Sequence, residues 1–538
     1  MAQLLLIGSM VILACILCSK LSSRFGIPVL LGFIAMGMLF GCDGIFGIEF
    51  SDFALTEQIS SVALLFIMFY GGFGTNWQEA KPVAAPSIVL SSAGTLLTAG
   101  LCGVFCWLVL KMDLLTGLLL GSVLASTDAA SVFSILRSRR LNLKYGTASM
   151  LEIESGSNDP FAYMLTVILI SIRSGEGNVG EIVWLVISQL VFGILLGVAI
   201  ALAAVFVMRH YRFKTANNYM LFIFSVALLA YALPQVLGGN GFLSVYLTGI
   251  ILGNSNIPDK KTLVNFFDGF TSLMQMILFF MLGLLVTPSQ MLGWILPAVL
   301  VVVFLTLIAR PIVVGLLLTP FRCKFRQQAL VAFSGLRGAA SIAFSLTVLA
   351  SDPSLQDSLF NTVFCVVLLS ISIQGSLLPF MAKKLKMIDL EGNVLKTFTD
   401  YTDETEVQFI QLNITLRHPW ANKMVKEVQI LPETLLAMVI RDGETIVPRG
   451  DTILTPGDIV VISAAAFAQA GKVHLSELRL RPSHPFCGKQ LKDCEFEPNS
   501  LVVLIRRGDQ TIIPSGKVTV YSGDVLVINN QDEISSFS

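Results

Sequence analysis

The sequence predicts an α-helical polytopic membrane domain followed by small α+β cytoplasmic modules. Three observations predict it. The 538 residues are 54% hydrophobic and only 13% charged, more apolar surface than a soluble chain of this size can bury. Charge density rises abruptly near residue 385, where long apolar stretches give way to short β-type runs punctuated by Pro, Gly and charges. The loops between apolar stretches alternate in charge, as the positive-inside rule demands of a multi-span protein.

The boundary falls at about Lys386 to Gly392, giving a membrane domain over 1–385, a linker over 386–402 and two modules over 403–468 and 469–538. About thirteen spans fit the first part, near 2–19, 26–42, 59–73, 86–110, 114–136, 149–172, 182–208, 218–237, 242–253, 271–287, 291–318, 328–350 and 358–380. Most meet the ~20 residues needed to cross hydrocarbon; those at 59–73, 242–253 and 271–287 are short. Met1 to Ser19 lacks a basic leader and a cleavage site and reads as the first, retained span.

One set of loops carries Lys20 and Arg24, Lys81, Arg137, Arg139, Arg140 and Lys144, Arg209, Arg212 and Lys214, Lys260 and Lys261, and Arg322, Lys324 and Arg326. The other carries Asp43, Glu49, Asp52, Glu57, Asp113, Glu176, Glu181, Asp352 and Asp357, with Lys111 and Arg173 as the exceptions. This places the N-terminus outside and the C-terminus in the cytoplasm, which requires an odd number of spans.

The tail reads as a tandem repeat with a period near 66 residues. His418-Pro419-Trp420 is echoed by His484-Pro485-Phe486, Lys423 by Lys489, and Pro432 by Pro498. Val439-Ile440-Arg441-Asp442-Gly443 matches Leu504-Ile505-Arg506-Arg507-Gly508, followed by Pro448 and Pro514. Gly457-Asp458 precedes one β-branched run as Gly523-Asp524 precedes the other. Short strands bounded by Gly-Asp and Pro predict sheet-rich units, either one generic β domain or a duplicated module.

Net charge is zero, so no basic bias points to nucleic acid. The nine cysteines sit mostly in apolar runs, and neither a disulfide framework nor metal-ligand spacing is visible. No nucleophile elbow, phosphate loop or metal cluster suggests an enzyme.

A charge at bilayer depth costs roughly 2.5–3.5 kcal/mol on insertion scales, so each one needs a partner, a water cavity or a job. Asp128, Glu154, Asp159, Arg310 and Arg337 are in that position. Span five carries Ala125-Ser126-Thr127-Asp128-Ala129-Ala130 and span twelve Ser334-Gly335-Leu336-Arg337-Gly338-Ala339. With span seven treated as a linker, each is the second-to-last span of a six-span half, and matched polar or Gly interruptions point to an inverted repeat with broken helices. Asp128 then either neutralises half-helix N-termini or simply caps a break.

Span six opens with Glu152, Glu154, Ser155, Gly156, Ser157, Asn158, Asp159 and Pro160. Glu154/Asn158 and Ser155/Asp159 are each four apart and share a helix face. Ser155 and Asp159 offer hard oxygen ligands, and a carboxylate in a partly dry site can trade a proton for a cation near neutral pH. The alternative is an interfacial acidic cap. Arg337 needs a carboxylate, with Glu154 the natural partner and a water cavity the other option. Arg310-Pro311 reads as a kink with a partnered arginine or as part of the transport path. Phe69-Tyr70-Gly71-Gly72 reads as close helix packing, with a gating role for Tyr70 as the other reading. A ligand-gated cation channel is the rival class, and it would need a selectivity filter that is not apparent.

Thr127-Asp128 in a mid-span break, Glu154-x-x-x-Asn158-Asp159 and Gly335-Leu336-Arg337-Gly338-Ala339 together resemble the monovalent cation:proton antiporter superfamily, in its NhaP-like branch, over residues 1–385. The modules resemble TrkA-C-type regulatory domains, and the whole resembles the cell-volume-regulation antiporters that exchange potassium for protons. The resemblance implies that Asp159 binds cation or proton, and that Ser155 and the backbone at Thr127 help ligate. It implies that Asn158 marks electroneutral exchange, that Glu154 and Arg337 pair, and that Asp128 compensates crossed helix ends. It further implies a homodimer in a bacterial inner membrane, K+ or Na+ and H+ as substrates, and no cofactor. The modules are expected to bind a small cytoplasmic ligand, a nucleotide being one candidate. Two departures stand out. Ala129 follows Asp128 where the family often has Pro, and Tyr70 stands where sodium-handling relatives often carry a glutamate.

Overall fold

A computed structural model describes the chain except residues 1, 26–27, 129–130, 133–134, 137–140, 176–177, 212–215, 390–406, 417, 429–433, 442–443, 466–473, 481–483, 495, 497–499, 508–509, 513 and 531–538. Ala129, Ala130, Arg137, Arg139, Arg140, Glu176, Arg212, Lys214, Pro432, Asp442, Gly443, Pro498, Gly508 and most of the expected linker therefore lie outside the described residues. The chain divides into two units, Met1–Tyr401 and Thr402–Ser538.

The first unit is helical. Its helices are α1 (Ala2–Phe25), α2 (Val29–Phe40), α3 (Phe53–Gly74), α4 (Trp77–Val109), α5 (Leu114–Ala125), α6 (Thr147–Arg173) and α7 (Val179–His210). There follow α8 (Ala216–Val236), α9 (Gly241–Gly253), α10 (Lys260–Leu284), α11 (Pro288–Leu318), α12 (Phe325–Phe333), α13 (Ala339–Ser351) and α14 (Ser358–Lys384). Among the described residues, seven helices are long and apolar enough to cross a membrane by length and composition. Shorter apolar helices, α5, α9 and α13 among them, complete the bundle.

Polar side chains in the turns start the helices by taking up their first free N–H groups. Asp52 accepts from Leu55 N at 2.9 Å, Asp113 from Leu115 N at 3.1 Å and Asn240 from Leu243 N at 3.0 Å. Asn178 and Glu181 form a reciprocal capping box at the head of α7.

Glycines let helices touch backbone to backbone, the main source of packing where lipid removes the hydrophobic drive. An added Cβ at Gly72 of α3 would lie 2.4 Å from the Tyr246 carbonyl of α9, and one at Gly249 would lie 2.4 Å from the Phe69 carbonyl. The Phe69–Gly72 stretch is thus a helix contact. The Tyr70 hydroxyl donates to Asp268 on α10 at 3.0 Å.

Two helices are interrupted in the apolar interior. α5 ends at Ala125, and Ser126 to Asp128 run without helical pairing before helical residues resume at Ser131. α12 ends at Phe333, and α13 begins only at Ala339, with Gly338 at its N-cap position. A π-turn over Leu305–Ala309 precedes Arg310 within α11, and Pro311 removes the next backbone donor.

At one end of the unit, β1 (Asn142–Leu143) pairs antiparallel with β2 (Ile388–Asp389). Lys144 N also donates to the Met387 carbonyl at 2.9 Å. The first residues of the segment read as a linker are therefore laced to the turn that opens α6.

The second unit holds two sheets of identical order. β3 (Val407–Asn413), β4 (Thr434–Arg441), β5 (Glu444–Ile446) and β6 (Ile459–Ala465) lie in the order β3-β6-β4-β5. β7 (His474–Arg479), β8 (Ser500–Arg507), β9 (Gln510–Ile512) and β10 (Val525–Asn530) lie in the order β7-β10-β8-β9. Among the described residues each carries one 3-10 turn, Val425–Glu427 or Leu491–Asp493. The two cores repeat residue for residue: Ile414, Leu436, Val439, Leu454 and Val460 match Leu480, Val502, Ile505, Val520 and Leu526.

One alignment detail is corrected. Arg441 binds Asp458 through two 2.8 Å hydrogen bonds, and Arg507, not Arg506, binds Asp524 in the same way. The counterpart of Arg441 is therefore Arg507, one position later than the sequence match places it.

Candidate cation-exchange site

The two interruptions meet. Asp128 N donates to the Leu336 carbonyl at 2.8 Å, so unpaired backbone of one break satisfies the other. The Asp128 carboxylate lies against the start of α13, where a Cβ on Gly338 would come within 2.2 Å of Asp128 Oδ2. It also accepts from Ser131 N at 3.1 Å and from Ser131 Oγ at 2.5 Å. One acid thus serves two helix N-termini, whose partial positive charge favours an anion.

The opposite end of the crossing receives a cation. Arg337 Nη1 donates to the Ser126 carbonyl at 2.8 Å, at the C-cap of α5, while Arg337 N donates to Ser370 Oγ at 3.0 Å. A guanidinium at a helix C-terminus is the complement of a carboxylate at an N-terminus.

α6 passes beside the crossing and clamps Thr127. Asn158 Nδ2 donates to Thr127 Oγ1 at 2.6 Å, and Thr127 N approaches Asn158 Oδ1 at 3.4 Å. The Ser155 hydroxyl donates to the Thr127 carbonyl. A turn further along α6, Asp159 accepts from the Ser126 hydroxyl through a short hydrogen bond. Asp159 is 9% exposed, and no basic side chain pairs with it among the described residues.

The ion pair differs from the expectation. Glu154 does not meet Arg337; its Oε1 accepts from Arg310 Nη1 at 2.8 Å, both groups being almost fully buried. Arg310 reaches Glu154 from the kinked stretch of α11, and Arg337 is occupied by the end of α5. Two arginines and two acids leave the pairing open in a sequence, and only the crossing geometry decides it. Tyr70 turns its hydroxyl toward Asp268.

Comparison with known proteins gives the family of the chain that carries this arrangement. The family described as sodium/hydrogen exchanger, transmembrane, matches residues 9–384, and the TrkA-C domain matches 409–466 and 475–537.

The chain belongs to the sodium/hydrogen exchanger family.

Curated relatives of this exchanger include a K(+)/H(+) antiporter NhaP of Alkalimonas amylolytica, 34% identical over 85% of this chain and 80% of the relative. A K(+)/H(+) antiporter NhaP2 of Shewanella sp. (strain ANA-3) is equally similar, at 34% over the same shares. A Na(+)/H(+) antiporter NhaS2 of Synechocystis sp. is 25% identical over 62% of each chain. The sodium proton antiporter MjNhaP1 of Methanocaldococcus jannaschii shares the exchanger's fold, with a TM-score of 0.63 at 24% identity over 72% of this chain and 99% of that one. The exchanger is a multi-pass membrane protein, and its cation/proton antiport class follows from the family.

Two participants were not singled out in the sequence. Ser126 bonds Asp159, and its adjacency to Thr127-Asp128 was the available signal. Tyr246, an aromatic residue in an apolar run, gave no signal. It packs on Gly156, where a Cβ would lie 2.4 Å from the ring.

Proposed function

We propose that this exchanger trades one monovalent cation, K+ in preference to Na+, for one proton at Asp159. The carrying observation is a buried carboxylate at the helix crossing, with a hydroxyl beside it and no basic partner among the described residues. Desolvation penalises the bare anion, so a proton or a metal ion is the favoured occupant, and the two exclude one another.

The charge count supports a one-for-one swap. Asp128, Glu154 and Asp159 are three formal negatives, and Arg310 and Arg337 are two formal positives, so one negative charge remains at the crossing. One H+ or one alkali ion cancels it, and the exchange is electroneutral. Thr127, Ser155 and Asn158 supply neutral oxygens; the Thr127 carbonyl and hydroxyl each retain a lone pair beyond the hydrogen bonds they accept. The K+ preference draws on the names of the relatives at 34% identity. The loop charges support an N-terminus outside and a C-terminus in the cytoplasm, and the family resemblance supports a homodimer in the inner membrane. The TrkA-C modules adjust turnover on binding a small ligand such as a nucleotide.

The test is K+-driven proton movement in proteoliposomes, read with a pH-sensitive dye. Asp159→Asn should reduce exchange to background while the protein still inserts. An imposed membrane potential should leave the wild-type initial rate unchanged. Exchange that survives Asp159→Asn would overturn the assignment.

A further inference from the structure

Glu152, Gly156, Asp159 and Tyr163 are spaced i, i+4, i+7 and i+11 on α6, which aligns them along one face. Only Asp159 has a part in the exchange reading above. Glu152 lies about 10 Å from it along the axis, at 1.5 Å per residue. The Glu152 side chain is buried, 6% exposed, and accepts from Thr75 Oγ1 at 3.1 Å, at the C-terminal end of α3.

At the level of Gly156, between the two carboxylates, stands Tyr246 of α9. A Cβ on Gly156 would lie 2.6 Å from its hydroxyl, so only glycine lets the phenol reach the stripe. Tyr246 is 2% exposed, and its hydroxyl has no partner at hydrogen-bond geometry among the described residues, although the Thr75 and Ser157 hydroxyls and the Glu152 charge are near it. Buried polar atoms are normally paired, so a hydroxyl left open beside a carboxylate points to a ligand that fits between them. A carboxylate with two neutral hydroxyl oxygens is a hard donor set of the kind alkali ions take.

We infer that Glu152 is a second cation station, where Glu152, Thr75 and Tyr246 hold a monovalent cation on its way to or from Asp159. The inference rests on Asp159 being the exchange site. The ion is bound at Glu152 without being exchanged for a proton there, so the station sets the concentration at which Asp159 fills and leaves the swap itself unchanged. The Tyr246 ring separates the two positions, so the ion passes from one carboxylate to the other only when that ring moves.

The experiment is a K+ titration of exchange by the full-length protein in proteoliposomes. Glu152→Gln should raise the half-saturating K+ concentration roughly tenfold at an unchanged maximal rate, the pattern of lost ground-state binding. Glu152→Asp should stay near wild type, and Tyr246→Phe should shift half-saturation in the same direction by a few-fold. Unshifted half-saturation in Glu152→Gln overturns the station, as does a lower maximal rate with half-saturation unchanged. If Glu152→Gln does not insert, an unshifted Tyr246→Phe overturns it. Asp159→Asn serves as the discriminating control. If it is inactive while Glu152→Gln is unshifted, only the station fails; if it is active, both readings fail.

Discussion

The Glu154–Arg310 pair is buried on both sides, and a buried pair is stabilising only relative to its own halves. Removing one partner strands a charge away from water. Glu154→Gln should therefore lower stability in detergent by about 3–5 kcal/mol, seen as a large fall in thermal midpoint. The double variant Glu154→Met with Arg310→Met should recover most of that loss. If the single variant is as stable as wild type, the pair is not the contact described. At this scale the sequence marked the charged residues but not their partners. Arg310 and Arg337 each satisfy the same requirement for an acid. The choice depends on the π-turn that aims Arg310 and on the α5 terminus that holds Arg337, and neither has a local signature.

Helix breaks have local signatures, and both were legible. Ser126-Thr127-Asp128 offers side chains that compete with helical pairing, and Gly335 and Gly338 flank an arginine. What joins them was not legible, because the hydrogen bond from Asp128 N to Leu336 O and the fit of Asp128 on Gly338 depend on tertiary placement. That fit gives an element-level prediction. Gly338→Ala would place a methyl within 2.2 Å of the Asp128 carboxylate, forcing apart the crossing that holds Ser126 and Asp159. Exchange should fall by at least about tenfold at normal protein level, measured as dye dequenching, as expected when reacting groups are moved by about 1 Å. The same scale explains an exception in the loop charges. Arg173, a cation among acids, donates to Asp352 at 2.8 Å and lies 3.8 Å from Asp113, so its charge is answered locally.

At the scale of the whole chain, repetition was easy to see and register was not. The paired landmarks exposed a period near 66, but a one-residue slip matched Arg441 with Arg506 instead of Arg507. The arginine–aspartate bonds decide the register because only one position points at the buried acid. Those bonds also predict a pH response. Arg441 beside Asp458, and Arg507 beside Asp524, hold both carboxyls below their ordinary value of 3.8. A depressed folded-state value contributes stability above 3.8 that drains away as pH falls below it through the folded value. Amide protection, taken relative to the intrinsic exchange rate at each pH, should fall together over Thr434–Arg441 and Ser500–Arg507 in the full-length protein below about pH 4 and stay flat from pH 5 to 7. A loss of protection already at pH 6 would contradict the assignment.

The two-rung seam between Asn142–Leu143 and Ile388–Asp389 has a mechanical corollary. The polypeptide continues from that seam toward the TrkA-C modules, and the other rail is joined through the short Lys144–Gly146 turn to Thr147, the first residue of α6. A tug on Asp389 therefore has two outcomes. Either the rungs part, at about 1 kcal/mol for each net hydrogen bond, or the root of the helix bearing Asp159 is carried along with them. Whatever the tail senses, its leash is fastened to that helix.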